Sequence, residues 1–339
     1  MKIALFCFSD AGCRLAGRLC DLLGILRTEV HTSEKFAARY GYTPHKSVCA
    51  DAGGIFSSYG ALIFIGACGI AVRAVAPYLK SKAKDPAVLC IDDQGTYVIP
   101  LLSGHIGGAN ALARRVAALT GAQAVITTAT DICGRFSCDA WAIEHNCAIS
   151  SLKTAKDVSA AILEGEVGIC SEYPLPAALW PGLHQAPGGE TGIYIGIRRC
   201  SPYQKTLRLI PRIVTVGIGC RRGTCAPVIR RAVARVFSEQ KIDLRAICAV
   251  ASIDVKRDEC GLLEYAASLR APLRFYSAAE LDALPGSFDE SAFVRAAVGV
   301  GNVCERAAVY EGGRLLIRKT AVDGVTVAAA AGEWGILHE

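Results

Sequence analysis

The sequence predicts an α/β protein: two Rossmann-like or flavodoxin-like α/β domains joined by a small middle region. Three observations carry this expectation. Strand-like and helix-like runs alternate over 1–131 and again from Ile213 onward. Hydrophobic residues make up 52% of the chain but aromatics only 7%, so small aliphatic side chains must do most of the packing. A length of 339 residues is enough for two or three buried cores.

In the first domain, 1–131, the runs Ile3–Phe8, Ala61–Ala67, Ala87–Asp92 and Ala124–Thr128 read as strands. Cys13–Leu23, Ile70–Leu79 and Ala109–Leu119 read as the helices between them, giving βαβ units on a parallel sheet. The middle region, 132–210, is punctuated by Pro174, Pro176, Pro181, Pro187 and Gly188-Gly189, and its clear periodicity is confined to short runs such as Gly192–Ile197, so it reads as an insert and linker. In the last domain, 211–339, Ile213–Ile218, Ala246–Ile253 and Leu273–Tyr276 are strand candidates around a helix over Ala226–Gln240. On that helix Val228, Ile229, Ala232, Val233, Val236 and Phe237 share one face, while Arg230, Arg231 and Arg235 lie elsewhere.

Composition narrows the function. The longest apolar stretch, Gly60–Val72, contains three glycines and runs into Arg73, too short to cross a hydrocarbon core of about 30 Å. Lys2 leads directly into a strand-like run with no leader signature, so the expected location is the cytoplasm. Sixteen cysteines then read as reduced thiols; none forms a Cys-x-x-Cys, and no His cluster accompanies the pairs Cys133/Cys138 and Cys220/Cys225. A net charge of +6 favours an anionic ligand without requiring nucleic acid. No membrane or nucleic-acid partner is expected.

Two glycine turns stand out. Leu101–Asn110 contains Ser103, Gly104, His105, Gly107, Gly108 and Asn110 ahead of a helix N-terminus, where backbone amides and the helix dipole suit a carboxylate or oxyanion. From spacing alone the same turn reads first as a tight strand-to-helix connection whose glycines satisfy backbone geometry, with His105 bonded in a loop. The second, Gly217-Ile218-Gly219-Cys220-Arg221-Arg222-Gly223-Thr224, places two guanidinium groups at such a turn, with Thr224 as the expected N-cap. Solvated charge is the plain alternative for the arginines. Neither turn matches the dinucleotide or NTP-binding glycine patterns. Asp92 and Asp131, each at the end of a strand-like run, fit either an orienting carboxylate for His105 or a turn former, and Thr128 and Thr130 lie beside Asp131. Gly66, Gly69 and Arg73 form a third turn of this kind, with Cys68 inside it.

Gly66–Arg73, Lys84–Val88, Leu101–Asn110, Val125–Asp131, Val216–Thr224, Asp254–Lys256, Glu259–Leu262 and Val298–Glu305, in that order, resemble the cobalt-precorrin-5A hydrolase family of anaerobic cobalamin biosynthesis. Cys68, Asp93 and Ala111 depart from the family pattern and leave His105 in place. The resemblance implies opening of the δ-lactone of cobalt-precorrin-5A and release of the C20 carbon as acetaldehyde, giving cobalt-precorrin-5B. It implies a macrocycle that carries its own cobalt, no enzyme cofactor and no protein-bound metal, and transient contacts with neighbouring pathway enzymes. The expected roles are His105 as general base and later proton donor, with loop amides, Ser103 or Asn110 on the oxyanion and Asp92 or Asp131 orienting the imidazole. Gly66, Gly69, Arg73, Gly104, Gly107, Gly108, Asn110, Thr128, Thr130, Gly217, Gly219, Arg221, Arg222, Gly223 and Thr224 are the expected substrate contacts. A non-catalytic corrinoid carrier or scaffold, and a nucleotide-dependent enzyme, are the competing readings.

Overall fold

The computed structural model describes residues 1–24, 27–81, 84–128 and 133–336. Thr130 and Asp131 lie outside the described residues. The chain forms two compact units, Met1–Ala140 and Trp141–Glu339.

The first unit runs β1 (Lys2–Cys7), α1 (Asp10–Leu23), β2 (Arg27–Thr32), α2 (Glu34–Tyr40), β3 (Thr43–Pro44), α3 (Val48–Ile55), β4 (Ala61–Ile65), α4 (Cys68–Val75), β5 (Ala87–Ile91), β6 (Tyr97–Leu102), α5 (Ala109–Thr120) and β7 (Gln123–Ala124). Its seven strands are ordered β3-β2-β1-β4-β5-β6-β7. The interiors of β4 and β5 are wholly buried, which is why they read as unbroken apolar runs: a strand covered on both faces has no polar side to alternate with. Ile3, Leu5, Ile63 and Leu89 pack with Leu15, Leu19, Leu112 and Val116 of α1 and α5. Ala4, Phe6, Leu62 and Phe64 pack on the other face with Ala52, Ala71 and Val75 of α3 and α4.

One strand corrects the expected all-parallel sheet. β6 pairs antiparallel with β5, Val88 opposite Leu102 and Ile91 opposite Val98, and β7 runs parallel to β6. The short turn Asp92–Thr96 leaves room only for a hairpin, not for a crossover helix. The strand expected over Ala124–Thr128 is confined to Gln123–Ala124, and Val125–Thr128 leave the sheet.

The second unit opens with α6 (Cys138–Glu144), which spans the boundary between the two, and continues β8 (Cys147–Ile149), α7 (Leu152–Glu164), β9 (Val167–Ser171), β10 (Leu183–Gln185), β11 (Gly189–Ile195) and β12 (Tyr203–Pro211). The middle region is therefore more than a linker: it holds a five-stranded sheet, β10-β9-β11-β12-β8. β13 (Val214–Cys220), α8 (Ala226–Glu239), β14 (Ile247–Ile253), α9 (Cys260–Leu269), β15 (Leu273–Tyr276), α10 (Ala278–Asp282), α11 (Ala292–Val298), α12 (Val303–Val309), β16 (Arg314–Val322) and β17 (Val325–Ala331) follow, with a third sheet ordered β15-β14-β13-β17-β16.

A shared core ties the two sheets of this unit together, since Ala148, Ile197 and Ile210 belong to the same buried cluster as Val216, Ile229 and Phe237. Asp243 adds a polar clamp. It accepts from Arg208 Nη1 at 2.9 Å and Arg245 Nε at 2.9 Å, and Arg245 Nη1 donates onward to the Ser150 carbonyl at 2.7 Å. Burial works against the Asp243 carboxylate, but the Arg245 and Arg208 contacts outweigh it and hold its pKa below the ordinary value.

Candidate functional site

The turn between β6 and α5 is built from its own backbone. Ala109 N donates to Ser103 O at 3.1 Å, Asn110 N to Gly104 O at 2.9 Å and Gly108 N to His105 O at 2.9 Å, so the first helical amides are consumed inside the loop. The close folding explains Gly107: a Cβ there would lie 2.3 Å from the Ser103 Cβ and 2.9 Å from its carbonyl. The amides of Ile106 and Gly107 have no acceptor among the described residues. His105 is half-buried, its Nδ1 3.4 Å from Ser137 Oγ, with the ring tautomer setting which group donates. Ser137 was not among the expected site residues; it lies 32 residues away in sequence, and no local pattern links the two.

Several expected ligand contacts have partners within the protein. The Ser103 hydroxyl donates to the Asp85 carbonyl at 3.0 Å. Asn110 is 3% exposed and donates from Nδ2 to Thr128 Oγ1 at 2.9 Å, so these two hold the Val125–Thr128 segment against α5. Gly104 allows that approach, since a Cβ there would lie 2.8 Å from Asn110 Oδ1.

Strand direction separates the other expected residues from His105. Gly66, Gly69 and Arg73 follow the carboxyl end of β4, and Asp92 follows that of β5. Because β6 runs the opposite way, Ser103–Asn110 sits at the amino end of β5, beside Asp85. Asp92 and His105 therefore lie at opposite edges of the sheet, and Asp92 does not orient the imidazole. Its carboxylate closes the β5–β6 turn, accepting from Gln94 N at 2.9 Å and Tyr97 N at 2.6 Å. Burial raises its pKa, and the amides of Tyr97, Thr96 and Gln94 more than offset this, leaving it lowered. At the same edge Gly66 N donates to Ile91 O at 2.8 Å, and Arg73 Nη1 reaches back to Gly69 O at 3.5 Å.

In the second unit the β13–α8 turn departs from expectation at its cap. Cys225 holds the N-cap position, and Thr224 Oγ1 donates to Arg221 O at 2.7 Å, closing the turn before the helix begins. Gly223 N donates to Glu259 Oε1 at 2.6 Å, so this amide is committed as well. Gly217 and Gly219 have packing roles: a Cβ on Gly217 would lie 1.8 Å from Cys304 O, and one on Gly219 2.5 Å from Thr326 Oγ1. Arg222 pairs with Asp258 at 3.1 Å on the surface. Arg221, Arg222 and Gly219 border a cavity of about 430 Å³.

Residues 52–131 match the family model described as Cobalamin synthesis G N-terminal, and residues 214–330 the one described as Cobalamin synthesis G C-terminus. The chain is 38% identical over 342 residues to a cobalt-precorrin-5A hydrolase of Salmonella typhimurium, covering 96% of each. A cobalt-precorrin-5A hydrolase of Priestia megaterium is 33% identical over 252 residues, 68% of this chain and 67% of that relative. Among solved structures, a cobalamin biosynthesis protein G homologue from Sulfolobus solfataricus is 22% identical with a TM-score of 0.41, covering 98% of this chain and 97% of that one. CobE, a protein from the cobalamin biosynthetic pathway, is 37% identical with a TM-score of 0.34, covering 37% of this chain and 94% of that one. By its 38% identity to the Salmonella hydrolase over 96% of both chains, with the Priestia hydrolase in agreement over two thirds of its length, the chain belongs to the cobalt-precorrin-5A hydrolase family.

Proposed function

We propose that this chain is a cobalt-precorrin-5A hydrolase of cobalamin biosynthesis, working on a macrocycle that brings its own cobalt and needing no cofactor held by the protein. The observation that carries the reading is the 38% identity to such a hydrolase across 96% of both chains. The resemblance supplies the reaction. Water adds to the δ-lactone carbonyl, the ring C–O bond breaks and a carboxylate and a C20 hydroxyl result. The hydroxyl then loses its proton, its electrons form the carbonyl of acetaldehyde, and the pair of the broken C20–macrocycle bond returns to the ring with a proton.

In this reading His105 takes the proton from water and later returns one, while Ser137 steadies the ring through Nδ1. The oxyanion goes to the Ile106 and Gly107 amides rather than to Ser103 or Asn110, whose donors are already engaged with Asp85 and Thr128. Cytoplasmic operation, with transient contacts to neighbouring pathway enzymes, goes with this assignment; no helix among the described residues is long and apolar enough to cross a membrane.

Anaerobic incubation with cobalt-precorrin-5A, trapping acetaldehyde and following the macrocycle mass, tests the reading. Wild type releases acetaldehyde, and His105→Ala lowers the rate by about 10² to 10⁴-fold while still binding. Folded wild type that binds the macrocycle yet releases none is a carrier, and equal rates for both proteins remove His105 from the chemistry.

A further inference from the structure

The 430 Å³ cavity beside the β13–α8 turn has a lining of unusual composition. One wall is α11, which presents Phe293, Ala297 and Val298, and Ile253 and Val303 continue the apolar surface. Phe293 is 83% exposed, the most of any large apolar side chain among the described residues. Around this surface stand Arg221, Arg222, Lys256 and Lys319, and no carboxylate lines the cavity among the described residues. Two of the four cations are neutralised locally: Arg222 pairs with Asp258, and Lys256 with Glu259 at 3.3 Å. The Arg221 guanidinium and the Lys319 ammonium form no ion pair among the described residues, although the Lys319 backbone amide donates to Glu305 Oε1 at 2.7 Å.

The cations are also spread out. Arg221 follows β13 and Lys319 lies on β16, and the order β13-β17-β16 puts two interstrand spacings, about 10 Å, between their strands. A flat apolar body with acidic groups around its rim matches an apolar wall with cations set on separate strands.

We propose that this cavity docks the edge of a polycarboxylate tetrapyrrole, with the Phe293 ring against the macrocycle face and Arg221 and Lys319 each taking a peripheral carboxylate. The ligand class rests on the hydrolase reading; the site itself rests on the lining. A cavity of this size takes one edge of such a ring, with the rest lying over its mouth.

The test is an absorbance titration of the full chain with two stable cobalt corrins: cobyrinic acid, whose side chains are free carboxylates, and cobinamide, in which they are amidated. Wild type binds cobyrinic acid at least about tenfold more tightly. The double variant Arg221→Gln/Lys319→Gln loses about tenfold or more for cobyrinic acid and stays within about twofold for cobinamide, whereas Phe293→Ala weakens both. Arg235→Gln, which removes a charge paired with Glu239 away from the cavity, changes neither Kd. Unchanged Kd values in the cavity variants, an equal loss in Arg235→Gln, or competition by ATP at the same site would overturn the proposal. Acetaldehyde release by the same preparations separates the two readings. Release with unaffected binding by the variants removes the docking site and keeps the hydrolase; no release, with binding that follows the variants, does the reverse.

Discussion

Asp92→Asn separates two accounts of the same carboxylate. If Asp92 oriented His105, its loss would cost about 10⁴-fold in turnover, as losing a histidine-orienting carboxylate does elsewhere. The sheet excludes that. Leu102 lies opposite Val88, so the His105 loop starts level with residue 88, and Asp92 lies four residues further along the strand direction of β5. At about 3.3 Å per residue that is about 13 Å, several times hydrogen-bond reach. The expected result is a rate of acetaldehyde release within about twofold of wild type, with a loss of stability instead, because the carboxylate holds the Gln94 and Tyr97 amides. Hydrogen bonds to a charged acceptor contribute about 1.5–3 kcal/mol each, and an asparagine oxygen retains part of that, so a net loss of about 1–2 kcal/mol is expected in urea unfolding. The native pKa is lowered, so this stability is present above the ordinary carboxylate value and fades as pH falls through the native one; wild type and variant converge in acid. A hundredfold loss of rate at unchanged stability would show that the carboxylate reaches the reacting centre and that the strand argument is wrong.

Two further perturbations probe the second unit. Gly217→Ala places a Cβ 1.8 Å from the Cys304 carbonyl and 2.9 Å from Ala308 N, both backbone atoms that cannot rotate away, so about 3 kcal/mol or more of stability is lost; a midpoint like that of wild type, with weakened substrate binding, would restore the glycine to the ligand site. Asp243→Ala leaves Arg208 and Arg245 facing each other across the clamp between the two sheets and costs about 3–5 kcal/mol near neutrality. Since the native Asp243 pKa is lowered, the wild-type advantage shrinks as pH drops through it, and a cost independent of pH down to about 2 would assign the effect to packing alone.

Continuous apolar burial made β1, β4, β5, α1, α5 and α8 legible, because a side chain covered on every side leaves an unbroken or strictly periodic signal. β2, over Arg27–Thr32, opens with exposed and half-exposed polar residues. The outer strands of the middle sheet, β8 and β10, are three residues each, too short for alternation to show. Strand direction was not legible at all: an apolar run over 97–102 reads the same either way, and only its five-residue separation from β5 hinted at a hairpin. That one reversal decides which polar residues share an edge. Ser137 and Phe293 escaped for a related reason. One reaches His105 from 32 residues away, and the other is an apolar residue whose meaning lies in its 83% exposure.

The three glycine turns that looked alike in sequence are kept by different forces. At Gly217 the glycine is needed because α12 packs its backbone onto β13. At Gly66 the amide is spent on Ile91 within the sheet. Only at Ile106-Gly107 does the loop combine amides without an acceptor among the described residues, a neighbouring imidazole and a fold so close that Gly107 admits no side chain. A group that serves stability finds its partner inside the protein, because a buried donor left unpaired costs about 1–3 kcal/mol. Donors still open after folding are the ones on which a substrate can act. By the same criterion Arg221 and Lys319, rather than the paired Arg222 and Lys256, are the cations to which macrocycle carboxylates would go.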